Sequence, residues 1–383
     1  MHLLSTTVPA EDSRDMDERE AYVALNMMEK VGPVGVRALT EALGSAGAIM
    51  QADRQALLGA KGIGPEQAGA IVEQRKSVDP AAELDKAERL GVRIVTQIDE
   101  EYPPALKEIH DPPLAIYVKG SLKARDRHAV AVVGTRRPTH YGRGVAEKLA
   151  WQLAEAGMTV VSGLAEGIDT VAHRGALKGA GRTLAVLGGA LDRVYPRSNT
   201  GLAGDVAGQG AVISEFPFGR EPDKTTFPMR NRIVSGISMG VVVVEAGSTS
   251  GALITAREAL DQGRSVFAVP GRIDSPASSG TNTLIRDGAK VVTCVEDVLD
   301  EFEFLIAPEQ RAARAPEGGL RTLAPEERVL VDLLEEGERD VDSLIRESGM
   351  SPAEVSSVLL RLEMKKVVRM LPGRMVERRR GGI

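Results

Sequence analysis

The chain has 383 residues, 43% hydrophobic but only 3% aromatic, enough for two or three domains of roughly 150 residues packed mainly by aliphatic side chains. One cysteine, Cys294, excludes a disulfide framework and a cysteine-based zinc site, and five scattered histidines argue against a metal cluster. Forty-eight Lys and Arg against 54 Asp and Glu give a net charge of −6, which excludes a uniformly basic nucleic-acid coat but permits a local basic stripe.

The 41 glycines follow no collagen-like period and point to many tight turns. No apolar run approaches the roughly 18 residues that span a bilayer. The N-terminus turns acidic early and lacks a basic segment followed by an apolar one, so no secretory leader is expected. The expectation is a cytoplasmic protein with no membrane association.

In chain order, residues 1–18 are polar and aperiodic, and a disordered tail is expected there. Residues 19–80 carry short helical patterns, with a repeat between VGPVGVRALTEALGS (31–45) and KGIGPEQAGAIVEQR (61–75). Each pairs a glycine turn with an amphipathic helix, the grammar of a helix-hairpin-helix (SAM-like) domain. Glycines let such a hairpin approach a phosphate, the Gly62-Ile63-Gly64 turn being the better candidate. A compact bundle without that role is the alternative.

Residues 80–128 read as a connector with proline pairs at Pro103-Pro104 and Pro112-Pro113. Proline neither continues a helix nor donates to a sheet ladder, so this stretch is expected to run extended over the next unit's surface. Apolar runs then recur at 129–134, 158–163, 183–188, 211–215, 240–247 and 265–271, with helical patterns at 142–157 and 250–263. Strands apolar throughout are buried on both faces, so they are parallel and joined by crossover helices. The fold class is α/β, a doubly wound Rossmann-like parallel sheet over 81–305 with its connector. A linker is expected at 306–322. Three helical patterns and two short strands at 323–377 read as a winged-helix domain, and 378–383 as a basic tail.

Ligands of doubly wound sheets bind beyond the carboxyl ends of the strands. The first end is Gly134-Thr135-Arg136-Arg137-Pro138. A dinucleotide fingerprint and a Walker A motif are both missing, so no cofactor is expected. Paired arginines there suit an anionic backbone, because a guanidinium clamps phosphate oxygens with two hydrogen bonds. A surface turn with solvated arginines is the plain alternative. Ser162-Gly163 and Gly167 follow the second strand, and Gly188-Gly189, Tyr195-Pro196-Arg197 and Asn199 the third. Beyond the fourth come Lys224, Phe227, Arg230, Asn231 and Arg232. Cations that track phosphates beside a ring that stacks a base are what a single-strand groove needs. Phe227 is equally readable as a core residue, as is Phe216.

No catalytic or metal-binding residue is assigned. Asp169 and His173 are four apart on one helical pattern, without a third partner at a useful spacing. Glu245 precedes the Gly247-Ser248-Thr249-Ser250-Gly251 turn, which is a fair phosphate cradle for a hydrolase or a binding protein alike.

The segments GTRRPTHYG (134–142), SGLAEGIDTVAHRGAL (162–177), LGGALDRVYPRSN (187–199), FPMRNRIVSGIS (227–238), VVVEAGSTSGALITAREALDQGR (242–264) and VPGRIDSPASSGTNTLIRDGA (269–289) together resemble the DNA-processing DprA (Smf) family. The likeness covers the whole α/β unit, and the helical front and winged-helix end match one of the family's layouts. It implies a cytoplasmic homodimer without enzymatic turnover. Such a protein binds single-stranded DNA without sequence specificity, protects incoming DNA in natural transformation, and loads the recombinase RecA for homologous recombination. Single-strand-binding protein is a further candidate partner. Carried over residue by residue, the glycine–hydroxyl–arginine turn places Arg136 on the strand with Gly134 and Thr135. A lysine three positions before an aromatic matches Lys224 and Phe227, and Arg197 stands where the family often has lysine. In the winged helix, Glu354 and Glu363 accompany Arg361, Lys365 and Lys366, which weakens duplex-groove reading and makes a protein contact at least an equal expectation. Arg378, Arg379 and Arg380 would attract phosphate weakly. The competing reading is a Rossmann-like nucleotide hydrolase resembling lysine-decarboxylase-like phosphoribohydrolases, with Glu245 and the 247–251 turn as its site. Those families carry a Pro-Gly-Gly-x-Gly-Thr turn that Ala-Gly-Ser-Thr-Ser replaces here.

Overall fold

A glycine followed by a proline starts two of the front helices, because glycine leaves the cap backbone free and proline pre-sets the first helical φ. The computed structural model describes residues 16–179, 181–305, 323–334, 337–364, 367–371 and 373–378. The chain divides into two compact units after Leu299. The segment before residue 16, the linker at 306–322, Lys365, Lys366, Arg379 and Arg380 lie outside the described residues.

The first unit begins with α1 (Glu18–Met27), α2 (Pro33–Leu43), α3 (Ala46–Gln51), α4 (Arg54–Leu58), α5 (Pro65–Gln74) and α6 (Pro80–Arg89). Val31-Gly32-Pro33 and Ile63-Gly64-Pro65 are equivalent. In each, the apolar residue is buried, the glycine caps the helix and the proline opens it. Gly62 takes φ +85°, a left-handed conformation that glycine adopts without strain. Leu25, Val36, Leu39, Ile49, Leu57 and Ile71 form the core of this helical part.

The sheet unit continues with β1 (Val92–Thr96), α7 (Pro104–Lys107), β2 (Ala115–Gly120), β3 (Ala129–Val133), α8 (His140–Glu155), β4 (Thr159–Ser162), α9 (Ile168–Lys178) and β5 (Arg182–Val186). It is completed by α10 (Thr200–Gln209), β6 (Ala211–Ser214), α11 (Thr226–Gly236), β7 (Gly240–Val243), α12 (Ala252–Asp261), β8 (Ser265–Ala268), α13 (Ser279–Arg286), β9 (Lys290–Val291) and α14 (Glu296–Leu299). Among the described residues these strands form one sheet in the order β1-β2-β6-β5-β4-β3-β7-β8-β9. Strands β3 to β9 pair in parallel, and all of β3, β4, β5, β6 and β7 is buried, as uninterrupted Val/Ala runs require. The chain winds outward from β3 through β4, β5 and β6, then returns to place β7 on the other side of β3. The strand order therefore reverses between β3 and β7, which opens a crevice at their carboxyl ends.

The connector departs from the sequence expectation. Residues 80–128 do not run extended over a surface: β1 and β2 pair antiparallel, and β2 joins the sheet antiparallel to β6. The proline pairs lie in the loop between these two strands, where no ladder N–H is needed, and Pro104 opens α7. Tyr117 on β2 is fully buried and donates its hydroxyl hydrogen to Glu83 on α6.

In the second unit, α15 (Pro325–Leu333), β10 (Arg339–Asp340), α16 (Val341–Ser348), α17 (Pro352–Met364), β11 (Val368–Leu371) and β12 (Met375–Arg378) make three helices and a three-stranded wing. Leu330, Leu344, Val355, Leu359, Leu362 and Val376 supply its core. Arg378 is the last residue of β12, opposite Val368, and so belongs to the wing instead of a tail.

Candidate nucleic-acid interface

Gly134 ends β3 where the backbone passes under two neighbours. A Cβ there would stand 2.6 Å from Ile168 Cγ1 and 2.9 Å from Glu245 O. Thr135 N donates to Glu245 O at 2.7 Å, and Ile168 N donates to Thr135 O at 3.2 Å, so the turn is held from both sides. Gly167, at φ +87°, packs against the Thr135–Arg136 backbone. Arg136 leaves this clamped turn exposed, with no carboxylate partner among the described residues, and its guanidinium carbon lies 5.1 Å from the centroid of Phe227.

Phe227 stands in the first turn of α11, half-buried, with Tyr195 on its flank at 6.0 Å between centroids. Gly188 makes room for the ring, since a Cβ there would meet Phe227 Cδ1 at 2.7 Å. Three residues earlier, Lys224 is exposed on a turn that Asp223 organises by accepting from Thr225 N (2.7 Å) and Thr226 N (3.0 Å). The Thr225 hydroxyl also donates to Asp223, and this bond first, then the two backbone ones, hold the Asp223 carboxyl below its ordinary range.

Val133, Gly134, Thr135, Arg136, Gly163, Asp169, Lys224, Phe227, Arg230 and Asn231 line one crevice of about 540 Å³, with Gly247, Thr249, Ser250, Gly251 and Thr255 also on it. A smaller recess shares Arg136, Gly163, Phe227 and Arg230 and adds Glu166, Tyr195 and Pro196. Arg230 is 5% exposed: it donates to the backbone at Gly163 O and, at 2.6 Å, Val186 O, the ends of β4 and β5, and its Nε donates to Asn231 Oδ1 at 3.1 Å. Asp169 accepts from Gly163 N at 3.1 Å and Ala165 N at 3.4 Å. Burial raises the Asp169 carboxyl and nearby Arg230 lowers it again. Arg230 and Asp169 thus form a compensated floor, and the exposed charges above it are Arg136 and Lys224.

Residues that look alike in sequence separate here. About 100° of helical rotation per residue turns Arg232 away from Arg230. Arg232 is 6% exposed, forks onto Glu215 (2.7 and 3.0 Å) and reaches Asp111 at 2.8 Å, so it is a core ion pair outside the crevice. Ser162 is buried and donates to Val132 O. Arg137 and Arg197 are exposed but not among the lining residues. Sequence reasoning set Tyr195 at the end of the third strand without giving it a role, weighed Asp169 only as half of a pair with His173, and missed Thr255, which carries no local signal.

Glu245, the carboxylate of the hydrolase reading, is otherwise engaged, while the 247–251 turn lies on the crevice. Glu245 is 2% exposed and accepts from Thr139 N (2.8 Å) and the Thr139 hydroxyl (2.7 Å), which fixes the N-cap of α8. Gly142 packs against the same carboxylate. His173 is buried against Thr183 and does not line the crevice. Among the described residues no group of three His, Cys, Asp or Glu could hold a metal ion, and no helix is long and apolar enough to cross a membrane.

In the second unit, Glu354 and Ser351 cap α17 reciprocally, Ser351 N donating to the carboxylate at 2.8 Å. Arg361 lies 3.6 Å from both Glu326 and Glu327 on α15. Arg369 pairs with Glu377 and Arg374 with Asp342. These cations are internally compensated.

Comparison with known proteins follows the same division. Residues 93–303 match the family model of DNA recombination-mediator protein A, residues 311–374 that of the DprA winged helix domain, and residues 23–77 a SAM-like helix-hairpin-helix tandem. Protein Smf of Escherichia coli is 39% identical over 312 residues, 80% of this chain and 82% of the relative. DNA processing protein DprA of Bacillus subtilis is 42% identical over 213 residues, 55% of this chain and 72% of the relative. The crystal structure of DprA from Streptococcus pneumoniae superposes with a TM-score of 0.66 at 36% identity, covering 76% of this chain and 99% of the other. A structure of DNA processing protein A from Helicobacter pylori, described for its single-stranded DNA binding mode, superposes at 0.51 and 31% identity over 56% of this chain and 97% of the other. With its sheet unit, helical front and winged helix all matched, this chain belongs to the DNA recombination-mediator protein A (DprA/Smf) family.

Proposed function

We propose that the β3/β7 crevice binds single-stranded DNA without sequence specificity. On this reading the protein, a cytoplasmic homodimer without enzymatic turnover, protects incoming strands and delivers them to RecA in natural transformation and homologous recombination. Gly134, Thr135, Arg136, Lys224, Phe227 and Asn231 contact the strand, Gly163 and Arg230 shape the floor, and Arg137 and Arg197 extend the track at its edges. The observation that carries this is Arg136 poised over Phe227 beside Lys224, an unpaired cationic and aromatic cluster on a molecule of net charge −6. Such a cluster tracks phosphates by charge and holds bases by stacking, neither of which reads sequence. The single-strand binding described for the Helicobacter pylori relative supports the same ligand class.

The test is oligonucleotide affinity against salt. With about six phosphates neutralised, a slope of about −0.7 per contact lowers affinity several hundredfold between about 50 and 200 mM. Arg136→Ala and Lys224→Ala should each make the slope shallower by about 0.7. Affinity that stays flat across this range sinks the reading. Delivery to RecA is tested by filament assembly on strands already coated with single-strand-binding protein.

A further inference from the structure

The crevice has a second wall without an assigned ligand: the turn 247–251 at the start of α12, with Thr255 one helical turn further on. Backbone bonds within the turn leave donors over. Ser250 N donates to Gly247 O and Ile254 N to Gly251 O, while Thr249 N and Gly251 N, both on the crevice, have no partner among the described residues. Gly251 itself offers no side-chain cap, and among the described residues side-chain cover of the first N–H groups of α12 is limited to the Ser250 hydroxyl on Ala252 N at 3.4 Å, so the helix terminus keeps most of its partial positive charge. The turn is held in place from behind, because Gly280 N donates to Ala246 O at 2.8 Å and leaves no room for a Cβ against Ala246 O and Gly247 O.

Thr255 is the independent observation. It is 3% exposed, lines the crevice, and its hydroxyl makes no hydrogen bond to any described residue. The residue is buried, but its hydroxyl opens on the crevice, where an incoming acceptor can reach it. A free hydroxyl beside unpaired N–H groups is a donor set for an acceptor from outside. An anionic acceptor is favoured, since Arg136 and Lys224 line the same crevice and its one carboxylate, Asp169, is already engaged with Gly163 N and Ala165 N.

We infer that Thr249, Gly251 and Thr255 form a second phosphate site, which takes a backbone phosphate of the same strand that Arg136 and Lys224 hold. The inference rests on the strand-binding reading above. It adds that the strand is gripped on both walls, one by side-chain cations and the other by neutral donors at a helix terminus. The two walls then differ in what they cost to salt, because a neutral donor releases no counterion.

Two variants test this on the full chain with an oligothymidylate. Thr255→Val removes the hydroxyl at constant shape and should weaken binding about tenfold, the size of a lost hydrogen bond to a charged group, with the salt slope unchanged. Gly251→Asp places a carboxylate before the free N–H groups where no atom lies within 4 Å of a Cβ. It should weaken binding at least as much without lowering the melting temperature. Wild-type affinity in both variants overturns the second site while leaving the first reading intact, and a wild-type chain that binds no oligonucleotide overturns both. Thymidine monophosphate serves as the competing source of the same group. If the wild type binds it through Thr255 while strand affinity is indifferent to Thr255→Val, the site belongs to a free nucleotide and the assignment to the strand fails.

Discussion

The Arg136 guanidinium carbon stands 5.1 Å from the centre of the Phe227 ring, although the two residues are 91 positions apart in the chain. A cation over an aromatic face is attracted by the ring's quadrupole. The contact orders the arginine before any ligand arrives, which reduces the side-chain entropy lost on binding. Tyr195, tilted 47° to the ring at 6.0 Å, widens the aromatic surface.

This pairing makes the two residues a coupled unit for binding. Arg136→Ala should weaken oligonucleotide binding about tenfold through the lost charged hydrogen bond. Phe227→Ala should remove about 1–3 kcal/mol of base stacking. The double variant should lose less than the product of the two single losses, because each single change also frees its partner. Anisotropy titrations on all four proteins measure this, with melting curves to show that Arg136→Ala leaves the fold intact. Strictly multiplicative losses would mean that the pair acts as two independent contacts.

Arg232 should behave in the opposite way. Its fork onto buried Glu215 means that Arg232→Met strands a carboxylate in the core, at a cost of about 3–5 kcal/mol. Burial already pushes the Glu215 carboxyl up, and Arg232 is what pulls it back. The deficit should therefore shrink as the pH falls into the carboxylate range, where protonation of Glu215 removes the stranded charge. Adding Glu215→Gln should recover much of the stability at neutral pH. Urea titrations of the single and double variants check this; a single variant as stable as wild type would contradict the ion pair.

How far the site could be read from sequence follows from where its determinants sit. The strands β3 to β8 were legible because uninterrupted Val, Ile and Ala runs have one stable use, a sheet covered on both faces. Glycine then marks their ends, where Gly134, Gly163 and Gly188 each make room for a side chain or backbone from elsewhere. The edge strand β1 and its neighbour β2 were hidden by four prolines that belong only to the loop between them. Arg136, Arg230 and Arg232 are indistinguishable locally. Their fates are set by Phe227, by the carbonyls of Gly163 and Val186, and by Glu215 and Asp111, partners 17 to 121 residues away. The free hydroxyl of Thr255 has no sequence signature, because it is defined by what fails to reach it.

His173 provides a readout of the fold that leaves the crevice untouched. The Thr183 hydroxyl donates to Val160 O at 2.7 Å, so toward His173 it must accept, and the proton sits on Nδ1. Nε2 is buried with no partner, which fixes the neutral ring. Burial, reinforced by the Arg230 charge, pushes the pKa down to about 3 from its ordinary value of 6.5. Between these values the unfolded chain binds a proton that the folded chain refuses, so stability falls as the pH drops below 6.5. At about 1.4 kcal/mol per pH unit, the loss by about pH 5 is about 2 kcal/mol. Glutamine at this position stays neutral throughout and can still donate to Thr183. His173→Gln should therefore be the less stable protein at about pH 7.5 yet lose about 2 kcal/mol less on acidification to about pH 5. Urea midpoints at the two pH values measure the difference. Parallel losses in the two proteins would show that His173 titrates freely, and with it that the packing of α9 on β5 is looser than described.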